Sequence, residues 1–486
     1  MNQPRPPHPP LAGARCPDAE GVLTGSYDHA SAADGPGPQV RAAQSAEPET
    51  TSAPGPADLA LSDLHDSVDD PLLSAMNFLN EVRDRHPEAL SLAAGAPYEG
   101  FYDVEDVHRA LRVFCDHLRV ERGFDEARVR RTLLQYGRTK GIIHELLARH
   151  LDVDEDIRID PEAIVVTTGC QEALFLTLRT LRRDARDILL AVDPVYVGVT
   201  GAARLLDMPV HPVAGGAEGI DLADLRRAIR DARAAGLRPR ACYLVPDFAN
   251  PSGLRLPLPL RRALLELADE EGILLLEDNP YGLFPLGEER LPTLKALDTR
   301  RRVVYLGSLA KTVFPGVRIG FAVADQRVAG EPGNRAYLAD LLAKAKSMLT
   351  VNTSPVAQAV AGGRLLEHGC SLVRATEHVR EVYQENLRRL LHRLAVRFPA
   401  ASSVTWNSPQ GGFFVVVTVP FDVTDDLLEI SARDHRVLWT PLSHFYEGRP
   451  RLRALRLSVS SLTGDQIDEA VDRFAGFVDA SAPPSA

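Results

Sequence analysis

The chain has 486 residues, 45% of them apolar and 25% charged, with a formal net charge of −11; it is too apolar for a disordered chain and long enough for about three domains. The acidic balance argues against a nucleic-acid groove, and the longest apolar runs, such as Phe413–Val417, fall far short of the roughly 20 residues that a spanning helix needs. Five scattered cysteines without a C-x-x-C pair argue against a disulfide framework or a zinc knuckle and for a reducing cytoplasm, and the opening MNQPRPPHPP carries no apolar secretion segment.

Residues 1–60 read as a tail, holding eleven of the 36 prolines and a single aromatic residue, Tyr27. Such a stretch buries too little apolar surface to offset its ordering entropy. From Asp69 the spacing of Leu72, Met76, Leu79 and Val82 predicts a helix, which opens an N-terminal segment over 61–134. Between 135 and 335 apolar runs alternate with helical stretches. Strands are expected at Ala163–Thr168, Ile188–Val192, Ala241–Pro246, Ile273–Glu277, Val303–Gly307 and Arg318–Ala324. Helices such as Gln171–Leu181, Leu222–Ala235 and Leu260–Glu271 separate several of them. That alternation predicts an α/β domain with a mostly parallel sheet. Over 336–480 the pattern predicts helices near Ala336–Ser347, Thr353–His368 and Leu372–Arg397, strands at Gly412–Val419 and Leu455–Ser460, and a last helix near Asp465–Val478. This is a smaller α+β domain.

Four stretches carry chemistry, each at the end of an expected strand. In Thr168-Gly-Cys-Gln-Glu172 a small-residue turn before a helix aims free backbone N–H groups at an anion, although a lone glycine there is weak evidence. Asp247-Phe-Ala-Asn-Pro-Ser-Gly253, taken alone, reads better as turn punctuation. In Glu277-Asp-Asn-Pro-Tyr281 carboxylates stand where open α/β sheets bind ligands, or close an Asx turn. The most informative is Ser308-Leu-Ala-Lys-Thr-Val-Phe-Pro-Gly-Val-Arg-Ile-Gly320, because only five of the 55 basic residues are lysines. A lysine at a strand end can form a Schiff base with an aldehyde cofactor, and Ser308 and Arg318 beside it suit a phosphate. Alone, Lys311 reads as well as a surface loop lysine.

In combination and in this order, the four stretches resemble fold-type-I pyridoxal-phosphate enzymes, and among them class I/II aminotransferases, over roughly residues 70–480. The resemblance implies a mostly parallel sheet with helices on both faces and a smaller C-terminal domain. It also implies pyridoxal 5′-phosphate as cofactor, ping-pong transfer between an amino acid and a 2-oxo acid, and a homodimer with composite sites. By that resemblance Lys311 carries the cofactor and shuttles the substrate proton, and Asp278 keeps the pyridine nitrogen protonated. Asn250 and Tyr281 contact the ring oxygen, and Tyr196 stacks on the ring. Gly169, Cys170, Gln171, Ser308 and Arg318 form the phosphate cup, which Tyr136, in Leu134-Gln-Tyr-Gly, reaches from the neighbouring subunit. Gly95, in Ala93-Ala-Gly-Ala-Pro97, Asn250 and Arg456, in Leu455-Arg-Leu-Ser, are the substrate contacts, Arg456 holding the α-carboxylate with its bidentate fork. One departure is Ala310, where relatives often carry a second serine; it affects the phosphate contacts and leaves the lysine's role intact. No metal, nucleic acid or membrane partner is expected.

The stretches Asp70–Glu81, Phe101–His108 and Gln135–His144 resemble arylglycine transaminases of actinobacterial peptide-antibiotic pathways, which act on arylglyoxylates such as 3,5-dihydroxyphenylglyoxylate. The alternative is a broad aromatic or 2-aminoadipate/kynurenine aminotransferase. A pyridoxal-phosphate lyase or oxidase on the same fold stays open, since fold does not fix reaction. A regulator's effector half would need a winged helix that the Pro-rich tail does not supply. An arylglycine ring is expected to sit close to the cofactor, bounded by Tyr98–Tyr102.

Overall fold

The computed structural model describes residues 59–329 and 335–483, so the tail expected over 1–60 lies outside the described residues except for its last two. The apolar runs of the middle third form a seven-stranded sheet: β1 (Ile164–Thr168), β2 (Asp187–Asp193), β3 (Val210–Ala214), β4 (Arg238–Leu244), β5 (Leu274–Asp278), β6 (Val303–Ser308) and β7 (Ile319–Val323). Their order across the sheet is β1-β7-β6-β5-β4-β2-β3. The strands from β6 to β3 pair in parallel, while β7 is antiparallel to both its neighbours. The inner strands read as continuous apolar runs because helices cover both faces; Ile188, Leu189, Leu190 and Ala191 are all fully buried.

Strand β3 was not expected from the sequence. Its His211 and Pro212 are polar or ring-closed and largely unburied, a composition that only an edge strand tolerates, since proline has no N–H for a second ladder. At the other edge β1 pairs with β7 from Ile164 opposite Val323 to Thr168 opposite Ile319. This pairing sets the end of β1, and the helix Gly169–Leu181 that leaves it, beside the start of β7.

The last third builds a four-stranded antiparallel sheet from β8 (Thr405–Trp406), β9 (Phe414–Val423), β10 (Thr440–Pro441) and β11 (Leu452–Ser458), in the order β8-β9-β11-β10. Its core contains the fully buried Trp439, Phe474 and Phe477, together with Val82 and Leu92 from the N-terminal segment. The Trp439 indole N–H donates to Ser431 Oγ at 3.0 Å, which satisfies the one polar atom of the largest buried side chain. The helix expected over Leu372–Arg397 is two helices, Leu372–Ala375 and Glu377–Arg397. The break falls at Thr376, whose hydroxyl donates to Leu372 O, while Asp154 accepts from the N–H groups of Leu372 and Val373 and fixes the short first piece.

The helix expected from Asp69 spans Pro71–Arg85; Asp70 caps it by accepting from Leu72 N at 2.9 Å, and Pro71 opens it. No helix among the described residues is long and apolar enough to cross a membrane.

The start of helix Gly169–Leu181 is pinned by a buried pair. Glu172 accepts from Thr168 N at 2.6 Å and from Lys346 Nζ at 2.7 Å, and Lys346 is fully buried. Removing one partner of such a pair strands the other charge in the interior, at a cost of about 3–5 kcal/mol. Lys346→Ala is therefore expected to lose stability by about that amount in urea unfolding. A change below about 1 kcal/mol would show that water reaches the pair.

Candidate functional site

The strand ends create the site. At the C-terminal edge of the parallel strands lies a cavity of about 370 Å³, whose walls include Gly95, Cys170, Gln171, Tyr196, Asn250, Asp278, Tyr281, Ser308, Lys311, Arg318 and Arg456. The fold thus gathers residues from the ends of β1, β2, β4, β5 and β6 and from β11, where an open sheet with switched strand order forms its crevice.

Asp278 closes β5 and is buried. Its carboxylate accepts from Tyr243 Oη at 2.7 Å and from Cys170 Sγ at 3.5 Å. Burial pushes its pKa up to about 6, against the two hydrogen bonds, so at neutral pH it is mostly a carboxylate in an apolar setting. It suits a protonated ring nitrogen. Tyr243 went unnoticed in the sequence because it lies within the apolar run of β4, where nothing marks it from a core residue.

Lys311 Nζ donates to Gly95 O at 2.7 Å. Burial, then the nearby Arg318 and Arg456 cations, bring its pKa down to about 8, which favours the free amine that attacks a carbonyl. Arg318 adopts a left-handed φ of +51° and has no ion pair among the described residues. Its guanidinium lies against Gly169, where a Cβ would stand 2.6 Å from Nη2. Gly169 has φ +73° and opens the helix, so N–H groups, helix dipole and guanidinium converge on one spot. That is a cradle for a phosphate. Ser308 Oγ accepts from Ala310 N at 3.3 Å and so also shapes the Ala310 turn. Gln171 Nε2 donates to Gly198 O at 2.6 Å and ties the helix start to the first turn of the helix Val197–Arg204 that follows β2.

Tyr196, which caps the start of that second helix, has its phenol pushed up to about 12 by burial. Tyr281 is buried and packs edge-on against Phe413 and Phe414 at 5.3 and 5.4 Å. Arg456, on β11 opposite Val416 and Thr440, is nearly fully buried without a carboxylate. It donates to Asn250 Oδ1 at 2.6 Å, to Thr440 Oγ1 at 3.1 Å and to Ala93 O. Its guanidinium lies 4.3 Å from the Phe414 ring and 5.0 Å from that of Phe445. Burial lowers its pKa to about 10, and its Nε has no partner among the described residues. A buried cation without a counter-ion is a place for an anion.

Tyr136, expected to serve a neighbouring subunit, stands outside this chain's own cleft, 85% exposed, in a hollow with Arg128, Arg131 and Arg138. One expectation lands elsewhere. Tyr98–Tyr102 does not line the cavity; Phe101 is drawn into an aromatic cluster with Tyr383 at 5.6 Å, and Tyr102 packs on Phe314 at 6.1 Å. The wall there is made instead by Asn80, Val82 and Arg83 of helix Pro71–Arg85 and by Trp439, Thr440, His444 and Phe445. These residues carried no sequence signal, because their distance from the lysine is bridged only by the fold.

The residues present fit pyridoxal phosphate: a buried amine, a carboxylate for the ring nitrogen, and a glycine cradle under an unpaired guanidinium. The free amine predicts a pH dependence. Protonation removes the nucleophile, so capture of pyridoxal phosphate by the apoprotein should quicken about tenfold per pH unit and level off near 8. A rate still climbing at the ordinary lysine value near 10.5 would mean that the amine is not desolvated.

The family model for aminotransferases of class I and II matches residues 90–474. The chain is 54% identical over 422 residues to the (S)-3,5-dihydroxyphenylglycine transaminase of Amycolatopsis orientalis, covering 87% of this chain and 95% of that one. It is 32% identical over 392 residues to the 2-aminoadipate transaminase of Thermus thermophilus, covering 80% of this chain and 90% of the other. Among solved structures it resembles the α-aminoadipate aminotransferase of the same organism complexed with N-(5′-phosphopyridoxyl)-L-leucine. The TM-score is 0.71 and the identity 29%, over 87% of this chain and 99% of that one.

Proposed function

The chain belongs to the class I and II aminotransferases and uses pyridoxal phosphate, and on that premise we propose that it transfers the amino group of an arylglycine, 3,5-dihydroxyphenylglycine being the type, to a 2-oxo acid such as 2-oxoglutarate. The observation that carries the substrate is the likeness, over nearly the whole chain, to the dihydroxyphenylglycine transaminase. Such an amino acid is not one that ribosomes use, which supports a role in making non-proteinogenic building blocks for peptide antibiotics. Scattered free cysteines among the described residues support a reducing, cytoplasmic setting.

Bound in the cleft, pyridoxal phosphate supplies an aldehyde that takes the amino nitrogen and a ring that accepts the electron pair released at Cα. In this reading Lys311 would hold the cofactor, and its Nζ, once free, would take and return the substrate Cα proton, acting in turn as base and acid. Asp278, oriented by Tyr243 and Cys170, would keep a proton on the ring nitrogen. Asn250 and Tyr281 would contact the ring oxygen, and Tyr196 would stack on the ring. The Gly169 turn, with Cys170, Gln171, Ser308 and Arg318, would hold the phosphate. Arg456 holds the α-carboxylate of donor and acceptor alike, and the carbonyl of Gly95 orients Lys311. The same arginine serving both half-reactions is what an exchange through one site requires.

Tyr136 acts on the phosphate of a second copy. Its exposure leaves it free to reach a second copy and supports a homodimer with shared sites. Mixing Tyr136→Phe and Lys311→Ala dimers, after subunit exchange, is expected to restore part of the activity. Absence of any recovery in confirmed hybrids would remove the shared site.

The substrate is tested by a panel of amino donors with 2-oxoglutarate, scored as glutamate formed. A misfit of one methylene is worth about 10–200-fold in kcat/KM, and a preference of that size for hydroxylated phenylglycines over phenylalanine is expected. If 2-aminoadipate or kynurenine leads the panel, the arylglycine substrate is wrong and the transamination stands.

A further inference from the structure

The segment from Leu92 to Ala96 reads Leu-Ala-Ala-Gly-Ala, so no polar side chain of its own aims the Gly95 carbonyl at Lys311. That carbonyl is the only hydrogen-bond partner of Lys311 Nζ among the described residues. A Cβ on Gly95 would stand 3.0 Å from Phe414 Cζ, so packing limits the residue without fixing where its oxygen points. The direction of that oxygen comes from the peptide units on either side.

Both flanking carbonyls meet one side chain. Ser460 Oγ lies 2.8 Å from Ala96 O and 3.2 Å from Ala94 O, and its single proton serves the two. The Gly95 oxygen between them meets Lys311 Nζ at 2.7 Å. Ala96 depends on the serine most, because Pro97 follows it. Their peptide unit has no N–H, so the carbonyl is its one polar group and Ser460 the donor to it. Ser460 is wholly buried and held in turn by its neighbours. Val459 N donates to Phe413 O at 2.9 Å, and the buried Asn386 donates from Nδ2 to Val459 O at 3.2 Å and Leu462 O at 2.9 Å. Ser458 Oγ, 3.2 Å away, can donate to Ser460 Oγ while the Ser460 proton points at the carbonyls.

We propose that Ser460 is a positioning residue for Lys311: its hydroxyl holds the peptide units on both sides of Gly95 and so aims the Gly95 carbonyl at Nζ. The inference rests on Lys311 being the amine that takes the cofactor, and it names what keeps that amine in place. Ser460 does not line the cavity and acts through the backbone alone. A carbonyl oxygen holds an ammonium more tightly than a neutral amine, so the contact opposes the effect of burial on the lysine. Arg318 and Arg456 are the cations beside Nζ, and Asp278, Cys170, Tyr196 and Tyr281 share its cavity; none of them hydrogen-bonds to Ser460.

The experiment uses the full-length apoprotein and follows capture of pyridoxal phosphate against pH, with borohydride fixing what is bound through Nζ. Wild type, Ser460→Ala and Ser460→Thr are compared, each checked for folding by its urea midpoint. Without the serine the carbonyl no longer favours the ammonium. In Ser460→Ala the capture rate is therefore expected to level off about one pH unit lower than in wild type, the worth of a hydrogen bond to a charged group. The level rate itself is expected to fall about tenfold or more, because the amine is no longer held in line. Ser460→Thr, which keeps the hydroxyl, is expected to level off where the wild type does. A levelling point unchanged in Ser460→Ala, or lowered equally in Ser460→Thr, overturns the proposal whatever the rates. If borohydride still fixes the cofactor to Lys311→Ala, the assignment of the lysine falls, and the role of Ser460 with it.

Discussion

The close approach of the Gly169 turn to β7 is the constraint on which the cleft depends. A Cβ on Gly320 would stand 2.3 Å from Cys170 N, and one on Gly169 would stand 2.6 Å from the Arg318 guanidinium. At Gly320 backbone meets backbone and no side chain fits, while at Gly169, held at φ +73°, a side chain would be strained and would push the guanidinium aside. The strand β7 that makes the contact leaves the same loop that holds Lys311 and Arg318. Its antiparallel pairing with β1 and β6 places the helix start, the lysine loop and the end of β6 within one crevice. Were that contact wider, Cys170 would leave Asp278, and the cradle would part from the amine.

The site's electrostatics run against those of the whole molecule. The chain carries a net charge of −11, yet Lys311, Arg318 and Arg456 share one cavity with the single buried carboxylate of Asp278. Two anions, a phosphate and a carboxylate, are what such a field attracts. Low permittivity makes each of these charges costly alone and strongly coupled in pairs. It also lowers the pKa values of Lys311 and Arg456 and raises that of Asp278. Net charge is thus informative about bulk partners and says little about a cleft.

Much of the sheet was legible because its strands are short apolar runs bounded by glycine, proline or carboxylates, and a run such as Ile188–Val192 has few other uses. The edge strand β3 was not, since His211 and Pro212 break the pattern that identifies a buried strand. The short helix before Thr376 was hidden because the residue that caps its start, Asp154, lies far off in sequence. At the site, the lysine, the aspartate and the glycine turn stood out by their residue type at strand ends. Tyr243, Trp439 and His444 did not, because an aromatic or a histidine within an apolar stretch is ordinarily core. Their place becomes visible only when the fold shows that Tyr243 meets Asp278 and that Trp439 and His444 line the cavity.

The segment Leu92–Ala96 has almost no side chains of its own to hold it. Ser458 N donates to Leu92 O, Arg456 to Ala93 O, and the Ser460 hydroxyl to Ala94 O and Ala96 O. Arg456 and Ala93 are 363 residues apart in the chain, and synthesis at about 5–20 residues per second puts them roughly 20–70 s apart in time. The large sheet has all its strands once β7 has left the ribosome, whereas one wall of the cleft must wait for β11. Between β7 and β11, about 130 residues and roughly 6–26 s at that rate, the nascent chain holds an ordered scaffold with an unfinished pocket. The clock that decides when this enzyme first grips a carboxylate is therefore set by translation.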